Sequence, residues 1–284
     1  MTQRGPLYYA WRRFAANKAA VVSGLVLLTL ILMAVLAPLI TKANYDQQSY
    51  LQDAYAAPSA TYWFGVDDLG RDFFSRIVYG ARISLTIGFS AALFSVLIGI
   101  PLGAAAGYYG GRVDWAVMRL IELFSVVPSL LAAMLLGALT GGGFLTIVLV
   151  AALFGWVQVC LLVRAEVKAV REKEFVRAAQ ALGASPSYIM WRHLIPNSVS
   201  PIIVGFVLAI PLAMMLEASL SFLGIGVPPP LPSWGQMINV GMNFMYFYWH
   251  LAVFPTAALA ITVLATTLFG DGLRDALDPT LKGR

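Results

Sequence analysis

Of 284 residues, 60% are apolar and 12% charged, and the mean hydropathy is +0.78. Soluble domains average about 45–50% apolar and about 25% charged, so this composition excludes an ordinary soluble fold. A single cysteine, Cys160, and two histidines, His193 and His250, exclude an internal disulfide and a Cys/His metal cluster.

Five intervals carry no Asp, Glu, Lys or Arg: 19–41, 83–111, 123–163, 194–216 and 218–270. Each reaches the roughly 20 residues that cross about 30 Å of hydrocarbon, and two are long enough for two spans, or for a span and a polar loop. Without water to satisfy open backbone, such segments must be helical. The fold class is therefore all-α and polytopic, with six predicted spans.

In chain order, residues 1–18 place Arg4, Arg12, Arg13 and Lys18 around Trp11 and Phe14. This is either a short helix lying at the inner membrane face or a flexible basic tail. A retained first span follows over 19–40, ended with the help of Pro38. Residues 41–80 form a polar connection. Spans two and three are predicted near 82–106 and 115–137, and span four near 144–163. Spans five and six fall near 198–222 and 249–270, separated by an uncharged loop rich in Pro and Gly. No internal repeat is visible; the simplest division is 1–80 and a membrane domain 81–284.

Lys and Arg number 15 on one side of this topology and 4 on the other, which predicts that both termini and the 164–197 loop are cytoplasmic. The net charge of +5 then reports topology, and no nucleic-acid partner is expected.

Between Arg164 and Pro196, nine charges fall in 33 residues. Glu174 to Leu182 contains good helix formers and no breaker, and Gly183 supplies a left-handed stop. Ser185 and Pro186 provide a hydroxyl cap and a first-turn proline for the next helix. Two short helices at an angle are predicted along the cytoplasmic face. Small residues Ala178, Ala179, Ala181 and Ala184 would admit another backbone.

Here the chain resembles the permeases of bacterial ABC importers. Their cytoplasmic pattern is Glu-Ala-Ala, three residues, Gly, nine residues, then Ile-x-Leu-Pro. Arg177-Ala178-Ala179, Gly183 and His193-Leu194-Ile195-Pro196 keep that spacing, with Arg in place of the leading Glu. Further motifs resemble the second membrane subunit of the dipeptide, oligopeptide and nickel branch. They are Phe64-Gly-Val-Asp-Asp-Leu-Gly-Arg-Asp72, Glu217-Ala-Ser-Leu-Ser-Phe-Leu-Gly224, Pro232-Ser-Trp-Gly235 and Gly270-Asp-Gly-Leu-Arg-Asp-Ala-Leu-Asp-Pro279.

The resemblance implies a type I importer core of five helices plus an added N-terminal one. It also implies alternating-access import of di- or oligopeptides, or alternatively of nickel or a metal chelate. Nothing in the chain resembles GxxxxGK[ST], so ATP and Mg would sit on two separate ATPase subunits. A homologous second permease and an external solute-binding protein complete the implied partners, with the lipid bilayer around them. The implied ATPase-coupling residues are Glu174, Arg177, Ala178, Ala179, Gly183, Ala184, Ser185 and Pro196, with Glu174 and Arg177 paired at the rim.

Other residues keep two readings each. Glu122 either pairs structurally with Arg119 or serves an inner gate. Glu217, near Ser219 and Ser221, is a hydrogen-bonding or a gating residue. Asp67, Asp68, Arg71 and Asp72 form a local turn network or receive the binding protein. Gly88, Gly99, Gly103 and Gly107 are spaced for close helix packing. Trp234, Tyr246, Tyr248 and Trp249, with His250, read as interfacial aromatics, and the prolines at 101, 128, 211 and 255 as hinges or tolerated interruptions. No GxSxG, HExxH or paired intramembrane Asp supports an enzyme, and a passive channel or scaffold would not need the docking pattern.

Overall fold

The computed structural model describes residues 6–277. Arg4, Asp278, Pro279, Lys282 and Arg284, which entered the charge count or the C-terminal motif, lie outside the described residues. The first basic segment is a helix, α1 (Pro6–Ala16), packed on the last one through an edge contact between Phe14 and Phe269. Asn17 caps α2 (Lys18–Val35), its side chain accepting from the Ala20 amide at 3.2 Å. A short α3 (Ala37–Ile40) carries Pro38 in its first turn.

Asp72 starts α4 (Phe73–Tyr109) by accepting from the Ser75 amide at 2.8 Å and the Ser75 hydroxyl at 2.5 Å. This cap lies ten residues ahead of the predicted span. The resulting 37-residue helix is about 55 Å long, well beyond the hydrocarbon thickness. It also runs without interruption past residue 80.

Span three differs from expectation. It consists of α5 (Gly111–Val126) and α6 (Ser129–Thr140), bent by 77° at Val127–Pro128. Pro128 lacks an N–H and drives the residue before it out of the helical region, and Val127 is indeed extended. Pro101, Pro211 and Pro255 stay within continuous helices.

Next come α7 (Phe144–Arg171), α8 (Glu174–Ala181) and α9 (Pro186–Ile189). A π-turn over Met190–Leu194 leads to α10 (Ile195–Asn197) and α11 (Val199–Phe222). On the opposite side lies α12 (Trp234–Phe244), followed by α13 (His250–Leu277). Helices α2, α4, α7, α11 and α13 are each long and apolar enough to cross a membrane, and the bent pair makes a sixth span. The chain is a multi-pass membrane protein.

Helix α4 packs most extensively against α7. A Cβ on Gly99 would come within 2.7 Å of Val159 Cβ, and one on Gly107 within 2.7 Å of the Arg164 carbonyl oxygen. No side chain fits there, so glycine at these positions sets the interhelix distance.

Two aromatic assignments are corrected. Trp234 is fully buried and donates its indole N–H to the Ile77 carbonyl at 3.0 Å. His250 is buried as well, edge-on to Phe73. Both are claimed by the packing of α12 and α13 against α4. Tyr246 and Trp249 remain exposed, while Tyr248 stacks on Tyr55 with centroids 4.4 Å apart.

Candidate functional site

At the end of α7, the backbone turns at Lys173, which is extended, and α8 begins. Its end follows from Gly183, whose φ of +80° lies in the left-handed region. The Ala184 amide donates to the Ala179 carbonyl at 3.1 Å and the Gly183 amide to the Gln180 carbonyl at 3.0 Å, the paired bonds of a Schellman stop. Ser185 then caps α9, accepting from the Tyr188 amide at 3.3 Å, with Pro186 at the first helical position. The sequence expectation for this bend matches the backbone residue by residue.

This angled unit has two faces. Val176, Ile189 and Leu194 are fully buried and pack with Val163, Val167 and Val170 of α7 and Ala104 of α4. On the other face, Phe175, Leu182, Tyr188 and Trp191 are exposed, Leu182 to 88%. His193 lies between the rings of Phe175 and Tyr188. Ala178, Gly183, Ser185 and Pro196 are exposed, whereas Ala179 and Ala184 are half-buried. The unit is a rigid extension of α4 and α7 with a bare apolar and small-residue outer surface.

The predicted pairing of Arg177 with Glu174 is not formed. Arg177 donates instead to Glu172 at 2.7 Å. The extended Lys173 places Glu172 just ahead of the helix and within reach of the guanidinium. That partner holds the Glu172 carboxyl below its ordinary range.

A cavity of about 490 Å³ opens among α4, α6, α7 and α11. Ser95, Ser129 and Gln158 are its polar side chains, and none of its lining residues is charged. Small residues on α7 and α11, among them Gly155, Gly205 and Ala209, keep it open.

The tentatively assigned acids sit elsewhere. Glu122 pairs with Arg119 at 2.6 Å on the exposed face of α5, and Arg119 lies over the Trp115 ring. Glu217 is fully buried toward the other end of α11. Its Oε1 accepts from the Ser221 hydroxyl at 2.7 Å and its Oε2 from the Ser84 hydroxyl at 3.2 Å. Ser233 donates to Ser221, and the Trp234 amide donates to Ser84. Donors from α4 and α11 thus converge on one carboxyl group, and the start of α12 joins them through Ser221 and Ser84.

The Asp67–Asp72 motif folds inward. Asp67 Oδ1 accepts from the Leu69 and Arg71 amides at 2.9 Å, and Oδ2 from Arg71 Nε at 2.6 Å. Arg76 Nε approaches the same oxygen at 3.4 Å. Asp68 lies 3.6 Å from Arg71, and Asp72 is the α4 cap. This geometry favours the turn-network reading of the four residues.

Sequence reasoning overlooked Gln158, Ser84, Ser233 and the pairing of Asp114 with Arg164. Gln158 had a legible signal, as an amide alone inside a long apolar run. Ser84 had none, because Ser is common in membrane helices, whereas Ser233 stood within the Pro232-Ser-Trp-Gly235 motif with nothing in the sequence to show its partner.

Comparison with known proteins agrees with this architecture. Residues 99–283 match the family described as binding-protein-dependent transport system inner membrane component, and residues 5–58 match the N-terminal transmembrane domain of oligopeptide transport permease C. The oligopeptide transport system permease protein OppC of Bacillus subtilis is 42% identical over 274 residues, covering 96% of this chain and 89% of that protein. The glutathione transport system permease protein GsiD of Pectobacterium atrosepticum is 41% identical over 281 residues, covering 98% and 93%. Among solved structures, a chain of the MetNI methionine ABC transporter superposes with a TM-score of 0.60 at 17% identity, covering 72% of this chain and 98% of that one. The chain belongs to the family of binding-protein-dependent transport system inner membrane components, the permeases of ABC importers.

Proposed function

We infer that this chain is one of two homologous permease subunits of an ATP-driven importer of peptides in a prokaryotic cytoplasmic membrane. Two separate ATPases bind ATP and Mg, and an external solute-binding protein delivers the cargo. The excess of Lys and Arg on one side supports cytoplasmic termini and a cytoplasmic α8–α9 bend. The cargo reading rests on the relatives, whose names specify oligopeptides and glutathione.

The observation that carries the coupling role is the two-faced unit around Gly183, pinned by Val176, Ile189 and Leu194 and bare at Phe175, Leu182 and Tyr188. A motor protein gripping the bare face moves α7 and α4 through the pinned one. Interfaces and packed cores are bistable, so that displacement switches the spans between inward- and outward-open arrangements. The outer network at Glu217 and the turn at Asp67 keep the opposite end together while this happens.

The test joins crosslinking to transport. A Leu182→Cys variant of the intact complex should crosslink to an ATP-hydrolysing subunit. Proteoliposomes holding the complex should take up labelled peptide only with ATP inside and binding protein outside, as defined by the orientation above. Crosslinks confined to binding protein would reverse the topology, and absence of any ATPase neighbour would remove the coupling role.

A further inference from the structure

The inference below rests on the peptide-import reading and concerns what the permease itself recognises. Gln158 lies six residues, about 9 Å of helix, before Arg164, where the first charge of the polar loop appears. It stands on one face of α7 with Ala151, Phe154, Gly155 and Leu162, at the spacing of successive turns, and this face forms a cavity wall. Its neighbours Val157 and Val159 are buried, whereas Gln158 is exposed and makes no hydrogen bond among the described residues. Ser129, across the cavity at the start of α6, likewise has no side-chain hydrogen bond among the described residues.

An amide at membrane depth without a partner is expensive and points to a cavity ligand. The volume of about 490 Å³ is that of a small-molecule site. Its chemistry narrows the occupant. No charged side chain lines it, so it does not select on ionic side chains. A carboxamide presents two N–H donors and one carbonyl acceptor, the complement of a peptide unit's C=O and N–H. An acyl chain would leave Gln158 and Ser129 unsatisfied.

We propose that the cavity among α4, α6, α7 and α11 is a translocation subsite in which Gln158, aided by Ser129, hydrogen-bonds the main-chain amide of the peptide cargo. Recognition of the peptide unit, which all peptides share, lets one neutral site pass cargo with different side chains.

The test uses the complete transporter in proteoliposomes, with a labelled tripeptide and its depsipeptide analogue, in which both main-chain amide N–H groups are replaced by ester oxygens. Gln158→Leu should lower tripeptide uptake roughly 5- to 10-fold, the worth of one or two neutral hydrogen bonds. Depsipeptide uptake, which keeps the carbonyl acceptor but lacks the N–H donor, should fall by a smaller factor than tripeptide uptake, and Gln158→Asn should restore part of the tripeptide rate. Equal losses for both cargoes would mean a structural role and would overturn the proposal, as would no loss for either.

A second arm places Gln158→Cys in a Cys160→Ala background, which removes the chain's one native thiol. A water-soluble thiol reagent should label it, and cargo should protect it. Labelling only by a lipid-soluble reagent would assign the cavity to an acyl chain. Labelling lost on assembly with the second permease would assign it to a protein contact. If the wild-type complex assembles but imports no peptide, the cargo reading falls and this subsite falls with it. If wild type imports peptide and Gln158→Leu does so equally, only the subsite falls.

Discussion

Arg164 grips Asp114 with two parallel hydrogen bonds, Nε to Oδ1 at 2.5 Å and Nη2 to Oδ2 at 2.7 Å. The pair fastens α7, just before it runs out toward the α8–α9 bend, to the first turn of α5. Helix α5 leads into α6, which contributes Ser129 to the cavity. A bidentate, partly buried pair is stronger than an ordinary surface one and fixes orientation as well as distance. It is therefore a physical link between the bend and the cavity wall.

If that link transmits movement, Asp114→Ala should lower coupled uptake several-fold, while exchanging the charges through Asp114→Arg with Arg164→Asp should recover part of it. Uptake in proteoliposomes for Asp114→Arg, for Arg164→Asp and for the double variant gives the interaction energy by difference. Full additivity of the two single effects would show that the pair carries nothing beyond local stability.

Gly183 has open space around it, so a substitution there acts through backbone conformation rather than collision. Valine, β-branched at φ +80°, should destabilise the bend by about 1–2 kcal/mol, whereas asparagine visits this region readily. Gly183→Val should reduce receptor-stimulated ATP hydrolysis with membrane insertion intact, and Gly183→Asn should stay near wild type. Equal effects of the two would point to a side-chain clash with the ATPase instead.

Glu217 is the terminal acceptor for hydroxyls of Ser84 and Ser221. Its removal in Glu217→Ala orphans buried donors, at about 1–3 kcal/mol for each group left unsatisfied. Glu217→Gln keeps an acceptor for Ser221 and offers Ser84 a donor, and should lose much less. Thermal unfolding of the detergent-solubilised complex separates the two. Matching losses would indicate that the negative charge itself holds α12 in place.

A side chain at Gly107 would meet the Arg164 backbone, which has nowhere to go. Gly107→Leu should cost at least about 1–3 kcal/mol by overpacking α4 against α7. Leu97→Ala, on the exposed side of the same helix, serves as the control and should be nearly silent in the same unfolding assay.

Two kinds of information separate cleanly in this protein. The amino-acid sequence by itself determined the spans, the polar loop and the bend at Gly183. Hydrocarbon thickness reads off uncharged length, and a helix stop or cap depends on a few adjacent residues such as Ala184, Ser185 and Pro186. Only the tertiary structure decided that Pro128 breaks a span while Pro101, Pro211 and Pro255 do not. The same holds for Trp234 and His250, which are buried where an interfacial position was expected, and for Arg177, which meets Glu172 rather than Glu174. It likewise placed Gln158 on a cavity and gathered Ser84, Ser233 and Glu217 from distant stretches of chain. Burial and choice of partner depend on which helix faces meet, a property of the packed bundle that no local stretch of residues carries.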